Sequence, residues 1–536
     1  MIDAVHRAFD IEIDPDFVVI EIPKDTAFGD YATNVAMRLA KPLKSNPKTI
    51  AQTIIDHLDL EQGSIETASM AGPGFINIFI KQEQLAQSIL FILQSKENYG
   101  RSLAGDQKKV NLEYVSANPT GDLHPGHARG AAIGDSVARI MDFAGYDVTR
   151  EYYVNDAGNQ IDNMALSLQA RYYQSFGIAM DIPQDGYHGQ DLIEIAGQMK
   201  EQYGKTLLLD DPSQNIELFK TFGLKAELEK IQEDLRLFNV EFDVYSSEQS
   251  IRDRGLVEQV LARLRELNMI YESDGASWLK TTLYGDDKDR VLIKSDGSYT
   301  YLLPDIAYHL DKIHRGFYWM IDFLGADHHG YITRLTSAVE ALQVNAHLDI
   351  DIIQMARMIK DGQEFKLSKR SGKAVALKDL IEIAGKDAIR YYFVSKAADT
   401  HMDLDLDMAS KQSNENPVYY AQYAHARVCS ILAAKEDLPI ATELGMLNHP
   451  KETELMKHLN EFPSVVADAA LTRQPHKITN YIQKVAQLFH SFYNDCYVLD
   501  KNNPDLSSQR LALVMAVKIT LANALDLIGV HAPEKM

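Results

Sequence analysis

A strand, a Pro/Gly-containing loop and a helix succeed one another between residues 110 and 144, and no other stretch of the chain restricts its fold as much. Residues 110–115 read as the strand, 118–126 as the loop and 127–144 as a helix with small residues along one side. That order is how nucleotide-binding α/β sheets begin. The loop delivers His124-Pro125-Gly126-His127 to the helix start. Two imidazoles three residues apart there share a face, the glycine lets a flat ring approach the backbone, and the positive helix end favours phosphate. The arrangement predicts a nucleotide cradle. His-x-x-His by itself favours the plainer readings, a metal pair or two surface histidines, and it is the position after strand and loop that reverses this in favour of the cradle.

The 536 residues suffice for three or four domains of about 150 residues each. A turn-rich joint at 96–109 closes a small N-terminal α/β unit. In that unit, 31–58 has helical periodicity broken by Pro42 and Pro47, and 74–80 (GFINIFI) alternates like a strand. The expected organisation is an N-terminal α/β unit at 1–105, an α/β, Rossmann-like domain at 106–378 carrying a helical insertion at about 155–270, and an all-α bundle at 379–536. Strand-like text at 276–281, 290–293 and 318–324 suggests that the main sheet resumes beyond the insertion, and 511–528 is the clearest amphipathic helix of the bundle.

Charge and cysteine content narrow the function classes. With 76 acids against 54 Lys and Arg, the net charge of −22 disfavours nonspecific adhesion to nucleic acid or acidic membrane, so an RNA site must be a local basic patch. The start carries Asp3, Asp10, Glu12, Asp14 and Asp16 rather than a basic, then apolar, leader, and no apolar run approaches a membrane span. A cytoplasmic protein is expected. Cys429 and Cys496 lie 67 positions apart, which fits packing thiols and not a thiolate zinc cluster.

The local basic patch occurs at 357–378, where Arg357, Lys360, Lys366, Lys369, Arg370, Lys373 and Lys378 face only Asp361 and Glu364. Within it, Lys366-Leu367-Ser368-Lys369-Arg370-Ser371-Gly372 has the composition of a loop that can meet developing negative charge, although alone it reads as a solvated basic loop. Together the two segments are far more specific than either. They resemble the HIGH and KMSKS signatures of class I aminoacyl-tRNA synthetases. The surrounding VNLEYVSANPTGDLHPGHARGAA and GADHHGY resemble the arginine–tRNA ligase family, and the likeness extends over nearly the whole chain. GDYATNVAMRLAKPL and AGPGFINIFI resemble that family's extra tRNA-binding domain; DAIRYYFVS and NPVYYAQYAHAR resemble the entry to its helical anticodon-binding domain, of the DALR type. The departures are mild: Pro125 and Leu367 replace more usual apolar residues, and Arg370 replaces the final serine of the loop signature.

The resemblance implies ligation of L-arginine to tRNA(Arg) through arginyl-adenylate, with ATP as substrate, magnesium accompanying it and no dedicated protein metal site. It implies that His124, His127, Lys366 and Lys369 are catalytic, with Gly126, Gly325, Asp327 and Ser368 also on ATP. A guanidinium selects strongly for carboxylates, and the family pattern of acid, asparagine and Tyr-x-x-x-acid maps onto Glu113, Asn118, Tyr301 and Asp305, with Ser116 and His328 or His329 beside them. For tRNA, the basic run Arg38, Lys41, Lys44 and Lys48 would meet the elbow. Tyr419, Tyr420 and Tyr423 read equally as core or as platforms for anticodon bases, Tyr419 and Tyr423 being the candidates carried forward. A monomer acting without membrane or DNA is expected. Two alternatives differ in class: a pantothenate-type nucleotidyltransferase, which would have little use for the flanking domains, and a noncatalytic RNA-binding paralogue, which would be expected to have lost one of the two histidines or two lysines. The acid–leucine alternation at 403–407 is expected to be a solvated edge without function.

Overall fold

The computed structural model describes residues 1–21, 23, 28–366 and 375–536. Its first unit is a four-stranded antiparallel sheet of β1 (Ile20–Glu21), β2 (Tyr31–Thr33), β3 (Ile65–Ala71) and β4 (Phe75–Ile80), in the order β1-β2-β4-β3. Helices Val35–Leu43 and Pro47–Asp56 cover one face. Asn46 caps the second, its side chain accepting from Lys48 N at 2.9 Å, with Pro47 at the first helical position, where a missing N–H costs nothing. The core of this unit, built on Val35, Leu39, Ile50, Ile54, Ile76 and Ile78, includes no residue beyond Ile80. Helix Gln82–Ser95 leaves it: Leu85, Ile89 and Ile92 are buried in the core that also holds the C-terminal helices. The expected segment 1–105 therefore spans two cores.

β5 (Lys109–Glu113), β6 (Asp147–Val154) and β7 (Val244–Ser247) begin a parallel sheet. β7 falls inside the span read as insertion, because four residues are too few to carry a periodicity. The insertion proper is three helices, Asn159–Gln174, Gln190–Tyr203 and Ile216–Leu237, the first two and Phe219 of the third sharing a core of their own. The main sheet does not resume directly after it. β8 (Ile270–Ser273), β9 (Ala276–Leu279) and β10 (Arg290–Ile293) form a separate antiparallel sheet, with β8 and β9 joined by Asp274 and Gly275, both at positive φ as a two-residue hairpin requires. The parallel sheet is completed by β11 (Trp319–Gly325) and β12 (His347–Ile353), giving the order β12-β11-β5-β6-β7. The chain thus winds outward from β5 on one side and returns to its other side at β11. In open α/β sheets a ligand crevice opens at such a reversal, beyond the carboxyl ends of the strands.

β13 (Ala356–Lys360) and β14 (Gln363–Glu364) form the hairpin that leads to Lys366, and β15 (Met402–Asp405) pairs with β13. The acids at 403–407 fasten this hairpin: Asp403 takes the Arg357 guanidinium through two bonds of 2.8 Å, Asp405 caps the next helix on Met408 N, and Asp407 accepts from Asp361 N at 2.6 Å. The bundle follows. Its last helix, Pro504–Leu527, is buried over most of its circumference, from Leu511 and Val514 to Ala524 and Leu525, and keeps the expected wetter side as a stripe of Met515, Lys518, Ala522 and exposed Asp526. Fully buried Arg390 ties bundle to sheet domain, donating to Asp135 at 2.6 Å, Phe238 O at 2.9 Å and Ile528 O at 3.0 Å. No helix among the described residues is long and apolar enough to cross a membrane.

Candidate active site

The reversal between β5 and β11 opens into a cavity of about 740 Å³. One wall is the start of helix Pro125–Phe143. His124 is its N-cap: the ring Nδ1 accepts from the backbone N–H of Gly126 at 3.1 Å and of His127 at 3.3 Å, while His127 Nδ1 accepts from His124 N at 3.4 Å. The two rings stack, centroids 3.6 Å apart. A side chain at Gly126 would meet the His124 ring at 2.9 Å, which is why glycine stands there. Because both Nδ1 atoms accept from backbone N–H, each neutral ring carries its proton on Nε2, the nitrogen left for a ligand. Burial lowers both imidazoles, His127 to about 3 with help from His124, so the pair is uncharged near neutrality. Farther along the helix, Gly134 lets the Tyr114 ring lie against the backbone, closing helix onto strand.

The opposite wall is acidic. Asp322, Glu113 and Glu151 are register partners across β11, β5 and β6, three carboxylates in one row. Like charges on neighbouring strands repel. Helix Leu302–His314 lays its cations over the row: fully buried Lys312 donates to Glu113 at 2.7 Å and Asp322 at 2.9 Å, His309 Nε2 bonds Asp322 at 2.9 Å, and Arg315 grips both oxygens of Glu151. Despite burial, Asp322, Glu113 and Glu151 hold Lys312 above the ordinary ammonium range, and Lys312 and His309 hold Asp322 below the carboxylate range. Burial pushes Glu113 up against the pull of Lys312.

Among the described residues no cation hydrogen-bonds to Asp305, on the same helix. It accepts from the Tyr331 hydroxyl and its carboxyl is pushed by burial up to about 7, against the pull of Tyr331 and His309. A buried acid poised near neutrality, with no cation bonded to it among the described residues, is suited to receive a cation from outside. Between the walls, Val115 has φ 69° and Ser116 φ 37°, and Ser116 N bonds back to Tyr114 O at 3.0 Å, a tight turn that a β-branched residue enters only under strain. It aims Ser116 Oγ at Glu113, to which it donates at 3.0 Å, while accepting from Tyr153 N at 3.1 Å.

The cavity brings together Glu113, Ser116, Asn118, His124, Gly126, His127, Asp305, Gly325 and Asp327 of the expected residues. Asn118 donates to Gln160 of the insertion at 3.0 Å. It does not include Tyr301, which is 89% exposed at the N-cap of helix Leu302–His314, nor His329; His328 lines the wall in its place. Lys366 is exposed outside the cavity, 3.1 Å from Glu364, and Ser368 and Lys369 lie outside the described residues. In the N-terminal unit Lys41 and Lys44 are exposed, while Arg38 lies over the Phe17 ring at 4.4 Å and donates to Phe17 O. In the bundle Tyr419 and Tyr423 stack nearly parallel at 6.2 Å, Tyr423 continues onto His490, and Arg427 donates to the Tyr423 hydroxyl. Sequence reasoning missed His309, Lys312 and Tyr331. A signal for the first two was present: Asp305, His309 and Lys312 fall at i, i+4 and i+7, a polar stripe on a helix otherwise rich in Leu, Ile and Tyr.

A parallel sheet with its crevice at the point of reversal and a histidine-capped helix entering that crevice define a class I aminoacyl-tRNA synthetase, and the family model described as "tRNA synthetases class I (R), catalytic domain" matches residues 88–429. Models for the arginyl-tRNA synthetase N-terminal domain and the DALR anticodon-binding domain match 1–80 and 421–536. The chain belongs to the arginine–tRNA ligase family. It is 52% identical to the arginine–tRNA ligase of Bacillus subtilis over 524 residues, 97% of this chain and 94% of that one. With the ligase of Anoxybacillus flavithermus it shares 52% over 534 residues, 98% and 95% of the two chains. Among solved structures, a protein of Campylobacter jejuni described as a candidate arginyl-tRNA synthetase superposes with a TM-score of 0.79 at 35% identity, covering 85% of this chain and all of that one. Thermus thermophilus arginyl-tRNA synthetase shares the fold, with a TM-score of 0.76 at 22% identity over 100% and 99% of the chains.

Proposed function

We propose that this cavity joins arginine to ATP and passes the product to tRNA(Arg). The arginine carboxylate attacks the α-phosphorus; a new O–P bond forms as the bond to pyrophosphate breaks, giving arginyl-adenylate. The 2′-hydroxyl of the terminal adenosine of the tRNA then attacks the adenylate carbonyl and AMP leaves. No protein nucleophile is required, so positioning and charge carry both steps. His124 and His127 offer Nε2–H donors to the phosphates without adding a charge that would trap the ground state. Asp305 takes the guanidinium. Glu113, already neutralised by Lys312, accepts from the substrate's α-ammonium together with Asn118. Lys366, Ser368 and Lys369 would meet the leaving pyrophosphate, with magnesium entering as part of the ATP substrate. Tyr419 and Tyr423 would stack on anticodon bases, and Arg38, Lys41 and Lys44 would touch the tRNA elbow. The protein would work as a cytoplasmic monomer.

The observation that carries this reading is the pairing, across one cavity, of neutral capping imidazoles with a buried acid poised near pH 7. Amino-acid-dependent ATP–pyrophosphate exchange, with and without a total tRNA pool, tests it. Exchange with arginine alone among the amino acids supports it; equal exchange with lysine sinks the assigned pocket, and tRNA binding without any exchange sinks catalysis.

A further inference from the structure

The loop that delivers His124 is held from behind, outside the cavity, by charges of the insertion. Asp122, two residues before His124, takes Lys230 Nζ at 2.7 Å. Lys230 lies on helix Ile216–Leu237, and one turn farther along that helix Asp234, its side chain 3% exposed, takes Lys378 at 2.8 Å. Lys378 adjoins Leu377, whose backbone N–H donates to Leu123 O at 2.7 Å, and Leu123 adjoins Asp122. The contacts close on themselves: Asp122 to Lys230, along the helix to Asp234, across to Lys378, and through Leu377 and Leu123 back to Asp122. Leu123 and Leu377 are buried inside the circuit.

Two further acids approach Lys230, Glu227 Oε2 at 3.7 Å and Asp191 Oδ2 at 3.8 Å, both beyond hydrogen-bond reach. Burial, with Asp191 and Asp122 nearby, pushes the fully buried Glu227 carboxyl up to about 7 in spite of Lys230, leaving Asp122 as the partner that fixes the ammonium. Apolar packing could hold a loop to a helix at least as firmly as partly buried ion pairs; what ion pairs add is a preferred register and direction. Here the register is that of a loop whose next side chain but one is the His124 ring.

We propose that Asp122, Lys230, Asp234 and Lys378 form a closed ring that positions His124 for the triphosphate, making the insertion helix part of the activation machinery. None of the four lines the cavity, so they are positioning residues. The proposal rests on the cavity being the ATP site.

The test uses the full chain in arginine-dependent exchange with tRNA present, reading kcat, KM for ATP, KM for arginine and the thermal midpoint. Asp122→Asn and Lys230→Met should each lower kcat/KM for ATP about tenfold with arginine KM within about twofold, since a small displacement of a reacting group suffices for such a loss. The double variant should be no worse than the weaker single, and Lys230→Arg should recover most of the activity. Asp122, with a half-exposed side chain, reads the same contact if Lys230→Met fails to fold. Multiplicative losses in the double variant, equal rises in both KM values tracking a fallen midpoint, or unchanged exchange in both singles would each overturn the ring. Absence of exchange in the unmodified chain would overturn the cavity assignment first, and the ring with it.

Discussion

The two walls of the cavity are built in opposite ways. The histidine wall is local: His124, Gly126 and His127 lie within four consecutive residues, the rings fixed by the backbone of the helix they cap. The acidic wall is assembled from five places, Glu113, Asp305, the pair His309 and Lys312, Asp322 and Tyr331, drawn from two strands, an α-helix and a short 3-10 helix. The first uses neutral groups and backbone geometry, so it stays in register with its own helix. The second uses buried charge, so each member depends on another arriving. The difference teaches where substitution should be lethal to the fold and where it should be lethal only to the reaction.

The largest expected effect is on the acidic wall's stability. Lys312→Met leaves Glu113 and Asp322 buried side by side without their cation and should cost about 3–5 kcal/mol, read as a shift in the denaturation midpoint. A smaller cost would mean that the row is held some other way. Next, Asp305→Ala should raise the arginine KM by about two orders of magnitude or more, the penalty for an unpaired buried guanidinium, with the ATP KM little changed. On the other wall, His127→Asn should lower the exchange rate about a hundredfold with tRNA affinity and thermal midpoint nearly unchanged. A large fall in the midpoint would show the imidazole pair to be as structural as the acids.

The smallest effect distinguishes the walls by pH. Binding a guanidinium favours the ionised form of Asp305, whose free carboxyl sits at about 7, so arginine affinity should fall about tenfold per unit as pH drops below 7. His127, lowered to about 3, should show no ring titration between pH 5 and 8 by NMR in the free protein. A His127 titration in that range would remove the contrast.

The same division governed what could be read from the residues alone. The histidine wall was legible because its geometry is contained in one motif at a helix start, and the three-part organisation because helix and strand periods change along the chain. Lys312 was not, since its burial follows from sheet register: Glu113 and Asp322 are 209 positions apart in numbering and become neighbours only when β11 lands beside β5. Residues 276–281 and 290–293 read as strands without saying which sheet they join, and the hairpin at Asp274-Gly275 pairs β9 with β8 in a sheet apart from the parallel one. The amphipathic reading of 511–528 found the right helix, since its partly exposed residues Met515, Lys518, Ala522 and Asp526 share one side, but not how much of the remaining circumference is buried. The tyrosines of the bundle entry stood undecided between core and platform, and their half-buried stack leaves both readings open.

Helix Gln82–Ser95 carries one more consequence, in the order of synthesis. The segment it begins is closed by the far end of the chain: Asn523 donates to Lys96 O and Tyr99 O, and the Tyr99 hydroxyl to Leu459 O. The Asn523–Lys96 contact joins residues 427 positions apart, so at about 5–20 residues per second a ribosome needs roughly 20–80 s between making one partner and the other. Throughout that interval the N-terminal sheet, whose core ends at Ile80, can fold beside the exit tunnel, while Leu85, Ile89 and Ile92 wait uncovered for helices not yet translated. The nascent chain therefore trails an apolar stripe behind a finished domain, and the cover is complete only when the last helix joins Pro450–Asn460 against it.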